Sequence, residues 1–189
     1  MTDGAISNRP AEEKIIRLRL NELHLFKGYS ALNGIMPRNQ PYLVRDEDPS
    51  MVRLIARIKA RGVRQPALVR PDPEGGYEII DGHRRYRASE LSEHPDMPVI
   101  IRDLSDEEAV AEMVDGNVQR ENVLPSERAW AYRMYLEAEK KRAGRPAKNS
   151  PKFSANFRSD DEIGKSLGIS GDTLRNYIQL TELRQELMD

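Results

Sequence analysis

The pattern of apolar residues changes once along this chain, near residue 118. Before that point, short alternating runs at 14–23, 67–70, 77–81 and 97–102 are separated by helical stretches and by turns rich in glycine and proline. After it, apolar residues recur only at helical spacing. We therefore predict an α+β chain: a flexible tail at 1–14, a small mixed α/β domain at 15–118, and an all-α domain at 119–189.

Helix boundaries within the first domain are marked by capping residues. The segment 48–62, DPSMVRLIARIKARG, begins with an acid and a proline and ends with a glycine, so we predict a helix that buries Val52, Ile55 and Ile58. Ser105 is followed three residues later by a glutamate, which is the spacing of a capping box and predicts another helix start.

Composition excludes several classes of protein. The 189 residues include 30 Lys and Arg against 31 Asp and Glu, and no apolar run approaches the roughly 20 residues of a membrane helix. The amino terminus lacks the apolar core of a signal peptide, so we expect a cytoplasmic protein without a membrane partner. Because the chain has no cysteine, thiolate catalysis and zinc–cysteine sites are excluded, and its three histidines are scattered.

The stretch 77–90, YEIIDGHRRYRASE, predicts a strand, a turn at Gly82 and a helix start. Such a junction presents unpaired backbone N–H groups at the positive end of the helix dipole, where an anion is held well. Three arginines follow the glycine, which suggests a phosphate ligand: Arg84, Arg85 and Arg87. The alternative is a solvated face on which they pair with nearby acids: Glu90, Glu93 and Asp96.

A basic linker occupies 140–158, where seven Lys and Arg residues occur without an acid. Its glycine, prolines and small polar residues are typical of a loop, so it is either a soluble hinge or a segment that contacts phosphates in a salt-dependent way. Arg145, in the sequence GRP, resembles the core of hooks that enter the DNA minor groove, and we include it among the candidate DNA contacts.

The segment 159–180 has the pattern of a helix-turn-helix. Ser159 begins a second capping box, Gly164 allows close helix crossing, Gly168 makes the turn and Ser170 caps the second helix. The alternative is an ordinary helical hairpin. If this is a DNA reader, the candidate contacts to bases and phosphates are these: Lys165, Ser170, Gly171, Asp172, Thr173, Arg175, Asn176 and Gln179.

Four segments in order resemble ParB-type partition proteins over about residues 40–189. They are GVRQPALVR at 62–70, GHRRYRA at 82–88, GNVQRENVLPSERAWAY at 116–132, and the helix-turn-helix. The GHRR and PSERA wording is similar to the plasmid and mobile-element branch of this family. The resemblance implies a ParB/sulfiredoxin-like amino-terminal domain.

The resemblance also implies a function. ParB-like proteins are DNA-sliding clamps that bind CTP with Mg²⁺, read a palindromic DNA site, dimerise, and work with a ParA-type ATPase. Carried over, it places Gly62, Gln65 and Pro66 on the cytidine side. It places Gly82, Arg84, Arg85 and Ala88 in the triphosphate-binding loop, which also contains His83. The third matched segment contributes Asn117 and Arg120 to the nucleotide site.

This sequence departs from the ParB pattern at three positions. His83 stands where GERR has its glutamate, Gly116 stands where ENxQR has an acid near the metal, and Arg57 replaces a small hydroxyl residue. Asp115 is adjacent, but neighbouring helix positions point about 100° apart, so it is not an equivalent substitute. His83 either donates a hydrogen bond to a phosphate or caps the turn. Use of Mg²⁺ is uncertain for this chain, and we expect at most a slow CTP hydrolase.

We therefore predict a site-specific DNA-binding protein of the ParB type with a nucleotide-responsive amino-terminal domain. The alternatives are a transcriptional regulator that binds no nucleotide, or a phosphoryl-transfer or NTP-hydrolysing enzyme built on the same fold. The sequence ends shortly after the helix-turn-helix, so we expect the carboxy-terminal dimerisation domain of ParB proteins to be missing from it.

Overall fold

The structure is a computed structural model that describes residues 13–29, 32, 36, 39–118, 120, 123–144 and 160–183. Within these residues the strands are β1 (Ile15–Arg19), β2 (Leu23–His24), β3 (Ala67–Pro71), β4 (Tyr77–Asp81) and β5 (Asp96–Ile101). The α-helices are α1 (Pro49–Arg61), α2 (His83–Leu91), α3 (Asp106–Val118), α4 (Pro125–Gly144), α5 (Asp160–Ser166) and α6 (Gly171–Leu180).

The five strands form one mixed sheet in the order β1-β5-β3-β4-β2. The β1–β5 and β3–β4 pairs are antiparallel, whereas β3–β5 and β2–β4 are parallel. The β3–β4 hairpin closes where the backbone N–H of Asp72 donates to the carbonyl of Gly76 at 3.0 Å, in the glycine turn predicted from the sequence. The predicted mixed α/β domain followed by helices is confirmed.

Helix α1 forms where predicted, but its buried face differs from the prediction. Met51 and Ile58 are buried, Ile55 is half-buried, and Val52 is 54% exposed. Met51 and Ile58 are seven residues apart and so lie on the same side of the helix, while Val52 is rotated about 100° from Met51. The expectation that Val52 belongs to the core is wrong, because the helix packs against α2 along the Met51–Ile58 line.

Two apolar clusters hold the fold together. One lies between the sheet and helices α1 and α2 and includes Val69, Ile79 and Val99. The other begins at Ile80 on the opposite side of β4 and continues through α3 and α4 to α5 and α6. Because consecutive side chains of a strand point to opposite faces, β4 contributes to both clusters. The helices after residue 118 therefore pack against the sheet domain through one continuous core.

The capping box predicted at the start of α3 is confirmed. The backbone N–H of Ser105 donates to Glu108 Oε2 at 2.9 Å, and the N–H of Glu108 donates to Ser105 Oγ at 3.3 Å. Among the residues that the structure describes, no helix combines the length and apolar character needed to cross a bilayer.

Candidate functional site

The junction between β4 and α2 is held in an unusual backbone conformation by Gly82. Its φ is +108°, and a Cβ atom placed there would lie 2.7 Å from Ala67 Cβ on the neighbouring strand β3. Only glycine permits both the positive φ and this close approach. The N–H groups of His83, Arg84 and Arg85 have no acceptor inside the helix, and none of the described residues supplies one.

A cavity of about 420 Å³ opens at this junction. Its walls come from the segment 40–44, from α1, from the α2 start and from the end of α3. Among the described residues, four guanidiniums line it against one carboxylate, Asp81, which is an excess of three positive charges; the four are Arg57, Arg84, Arg85 and Arg120. Such a lining favours an anionic ligand.

Arg84 lines the cavity as a candidate anion-binding group. Its Nη2 donates to Ser50 Oγ at 2.7 Å, and burial together with the charge of Arg120 lowers the pKa of its guanidinium. Arg120 donates from Nη1 to Asn117 Oδ1 at 2.8 Å and lies 5.9 Å from the centroid of the Tyr42 ring. An anion between Arg84 and Arg120 would relieve the repulsion between these two charges.

Arg85 is used differently, because it braces the wall of the cavity. Its Nη2 donates to Asp81 Oδ2 at 2.6 Å, and its Nη1 donates to the carbonyls of Pro66 at 2.8 Å and Gln65 at 3.3 Å. These hydrogen bonds connect Gln65 and Pro66, which are predicted to face cytidine, to Arg85, which is predicted to face the phosphates. Arg85 still borders the cavity, so a ligand can share its charge.

Arg87 does not reach the cavity. Its guanidinium pairs with Asp46 at 2.7 Å and with Glu90 at 3.3 Å, and it is not among the lining residues. The prediction that three arginines converge on one anion is therefore wrong for Arg87, while the alternative of pairing with Glu90 is correct for it. The physical reason is the position of Asp46, which lies 41 residues away in sequence.

His83 borders the cavity and is buried. Burial lowers the pKa of its imidazole to about 4, so the ring is neutral near pH 7. Its Nε2 has no hydrogen-bond partner among the described residues, so this nitrogen does not cap the turn. The neutral ring adds no charge to the cavity.

The other residues predicted for the nucleotide site are divided between the cavity and its surroundings. Gln65 and Asn117 line the cavity, and Gly62 borders an adjoining space of about 290 Å³ at the end of α1. Ala88 is fully buried on the inner side of α2, where it packs in the core, so a direct ligand contact by Ala88 is not supported. Six further lining residues were not predicted from the sequence. Four lie in the irregular segment 40–44 and two lie in helix α1: Gln40, Tyr42, Leu43, Val44, Ser50 and Leu54.

The donor set of the cavity does not fit a divalent metal ion. Asp81 is the one carboxylate among the described lining residues, and Arg85 already neutralises it. Asp115 does not line the cavity; its pKa is raised by burial and by the nearby charges of Glu112 and Glu139. No group of three or more histidines and acids suited to a metal occurs in the described part of the chain. A magnesium ion bound with a nucleotide usually takes one or two protein carboxylates, whereas the other side-chain oxygens of the described lining residues belong to neutral hydroxyl and amide groups.

Helices α5 and α6 occupy the segment in which a helix-turn-helix is predicted. The N–H of Thr173 donates to Ser170 Oγ at 3.1 Å, so Ser170 caps α6 as predicted. A Cβ at Gly164 would lie 2.9 Å from the carbonyl oxygen of Ile169, which explains the small residue at the crossing. Gly171 is buried against Asp161, so it positions the two helices, and its contact with DNA stays a prediction.

The outer face of α6 is polar. Asn176 and Gln179 are exposed there, and Arg175 pairs with Asp160 at 3.3 Å and with Asp172. Lys165 is exposed in the last turn of α5, and Thr173 is half-buried in α6. Ser159, Arg145 and the remainder of the linker at 145–158 lie outside the described residues.

Comparison with known proteins agrees with this architecture. Residues 31–118 match the family described as the ParB N-terminal domain. The chromosome-partitioning protein Spo0J of Thermus thermophilus is 29% identical over 84% of this chain and 52% of its own length. A nucleoid occlusion protein of Geobacillus thermodenitrificans is 31% identical over 82% of this chain and 50% of its length. The chain thus spans about half the length of these relatives.

A solved structure shares the fold. The C-terminally truncated chromosome-partitioning protein ParB of Caulobacter crescentus, complexed to the centromeric parS site, is 23% identical over 91% of this chain and 74% of that chain, with a TM-score of 0.54. The same truncated protein complexed with CTP-γ-S is 26% identical over 92% of this chain and 82% of that chain, with a TM-score of 0.47.

Proposed function

Because this chain belongs to the ParB-type proteins and carries a ParB N-terminal domain at residues 31–118, we propose that it is a site-specific DNA-binding protein whose amino-terminal domain binds CTP as a switch. The observation that supports nucleotide binding is the cavity at Gly82, where unpaired helix amides meet an excess of three positive charges among the described residues. A phosphate chain is the ligand that such a combination binds best. The preference for cytosine is supported by the family resemblance alone.

The proposed DNA binding is based on helices α5 and α6. In a helix-turn-helix the second helix enters the major groove, and α6 presents Asn176, Gln179 and Arg175 on an exposed face. Arg175 is held by Asp160 and Asp172 in the free protein, so DNA phosphates or bases would compete with these acids for it. We propose a palindromic site, which requires two copies of the chain.

The process that this binding serves is also a proposal. Similar proteins act in chromosome partition and nucleoid occlusion by their names, and the GHRR wording favours a plasmid or mobile element. Action with a ParA-type ATPase would follow from a partition role. Such a protein would be located on the nucleoid or on a plasmid.

The nucleotide half is tested by two arginines of the same helix. Arg84→Ala removes a guanidinium of the cavity, and Arg87→Ala removes one that lies outside it. By calorimetric titration with CTP, we expect Arg84→Ala to weaken binding by about 1.5–3 kcal/mol, roughly ten- to hundredfold, and Arg87→Ala to leave it unchanged. Equal effects of the two substitutions, or no binding by the unaltered protein, would contradict the proposal.

The DNA half is tested by comparing a base reader with a phosphate contact. Asn176→Ala should relax the preference at one base position at a cost of about 1–3 kcal/mol, whereas Lys165→Ala should weaken binding to all sequences alike and reduce the salt dependence. Selection from random duplexes followed by gel shift measures both. Binding to DNA with no effect of CTP would instead favour the regulator that binds no nucleotide.

The enzyme alternative is weaker, since neither His83 nor Gly116 supplies a carboxylate to activate water. Phosphate release measured with each ribonucleoside triphosphate decides this. Turnover of CTP that Arg85→Ala abolishes would support the enzyme.

A further inference from the structure

We infer, on the premise of the nucleotide binding proposed above, that this cavity binds its nucleoside triphosphate without a divalent cation, with arginine side chains neutralising the phosphates instead. The inference comes from the donor set of the cavity, in which the described lining residues supply four guanidiniums and one carboxylate, Asp81. A magnesium ion that accompanies a triphosphate usually takes one or two protein carboxylates as well.

Asp81 is poorly suited to that role. Its Oδ2 accepts a hydrogen bond from Arg85 Nη2 at 2.6 Å, so its charge is already balanced. The same cavity holds Arg84 and Arg120, and their charges oppose the approach of a dication. A guanidinium has no such difficulty, because it binds phosphate oxygens in pairs and is more weakly hydrated than a small ion.

Three lining positions bring no negative charge to the cavity. Arg57 is cationic, Gly116 has no side chain, and His83 is buried with a neutral ring. Arg57 borders both the main cavity and the adjoining space near Gly62, where it can meet the phosphate chain.

Asp115, the acid next to Gly116, does not supply a carboxylate to the cavity. Asp115 is not among the residues that line the cavity, and it lies near Glu112 and Glu139. Position 116 itself is open: a Cβ placed on Gly116 would meet nothing within 4 Å. A carboxylate can therefore be introduced at position 116 without a steric clash.

The experiment is calorimetric titration of the whole chain with CTP, once in excess EDTA and once in excess Mg²⁺, each with and without sheared DNA from the source genome. We expect dissociation constants that agree within about threefold between the two buffers. Binding only in Mg²⁺ would overturn this inference and leave the proposed function intact. Absence of binding in every condition would overturn the proposed function, and this inference with it.

The second part of the experiment uses a variant with a carboxylate at position 116. Gly116→Glu should weaken binding in EDTA by about tenfold, since the new charge repels the phosphates, and Mg²⁺ should recover the loss. Binding of Mn²⁺ to the variant–CTP complex, followed by electron paramagnetic resonance, gives a readout independent of affinity. The matched control is Asp115→Asn, which should behave like the unaltered chain in both buffers. An unchanged affinity of Gly116→Glu in EDTA would overturn the inference, because position 116 would then lie too far from the phosphates.

Discussion

Replacing Gly82 by alanine tests how the cavity is built. An alanine at φ +108° must adopt a left-handed backbone conformation, which costs about 1–2 kcal/mol. Its Cβ would also lie 2.7 Å from Ala67 Cβ, well inside the roughly 3.5–4.0 Å of a favourable carbon contact. Relieving such an overlap typically costs a further 1–3 kcal/mol or so. We therefore expect the free energy of unfolding to fall by about 2–5 kcal/mol.

The assay is urea denaturation followed by circular dichroism. With a typical slope of about 2 kcal/mol per molar urea, the midpoint should fall by about 1–2.5 M. Nucleotide affinity should fall as well, because the same Cβ would lie 3.2 Å from Arg85 Nε and displace that side chain.

The matched control is Gly116→Ala, at another glycine of the cavity. This glycine lies inside helix α3 with open space around it, so alanine should raise stability by about 0.5–1 kcal/mol. If Gly82→Ala and Gly116→Ala had equal urea midpoints, the close approach of the β4–α2 junction to β3 would be refuted.

Three further substitutions have defined outcomes. Ser170→Ala removes the cap of α6 and should cost about 1 kcal/mol in a thermal melt, with weaker DNA binding in a gel shift. Glu127→Gln should cost about 1–3 kcal/mol in urea, because its buried carboxylate accepts from the N–H groups of Leu43 at 3.0 Å and Leu124 at 3.1 Å. His83 has a pKa of about 4 when folded and an ordinary value near 6.5 when unfolded. The unfolded state therefore binds more protons between these values, so stability should fall as the pH is lowered from about 6.5 towards 4, and His83→Gln should reduce this pH dependence in urea midpoints.

The order of neighbouring residues predicted the helices and strands well, and contacts between residues distant in sequence explain the predictions that were wrong. The strand, glycine and helix at 77–91 follow from neighbouring residues, as does the cap at Ser170, and the structure contains both. Val52 was assigned to the core from helical periodicity, but periodicity does not say which side of a helix meets its neighbour. The domain boundary near residue 118 stays a prediction, since one core continues across it.

The sequence by itself determined where an anion could be held, because a glycine that ends a strand and starts a helix creates that geometry from its own backbone. Only the tertiary structure decided which arginines reach it. Arg84 and Arg87 are three residues apart in the same helix, yet one borders the cavity and the other is held by Asp46. Opposite charges attract across any sequence separation, so the folded arrangement of distant segments settles which partner each arginine finds.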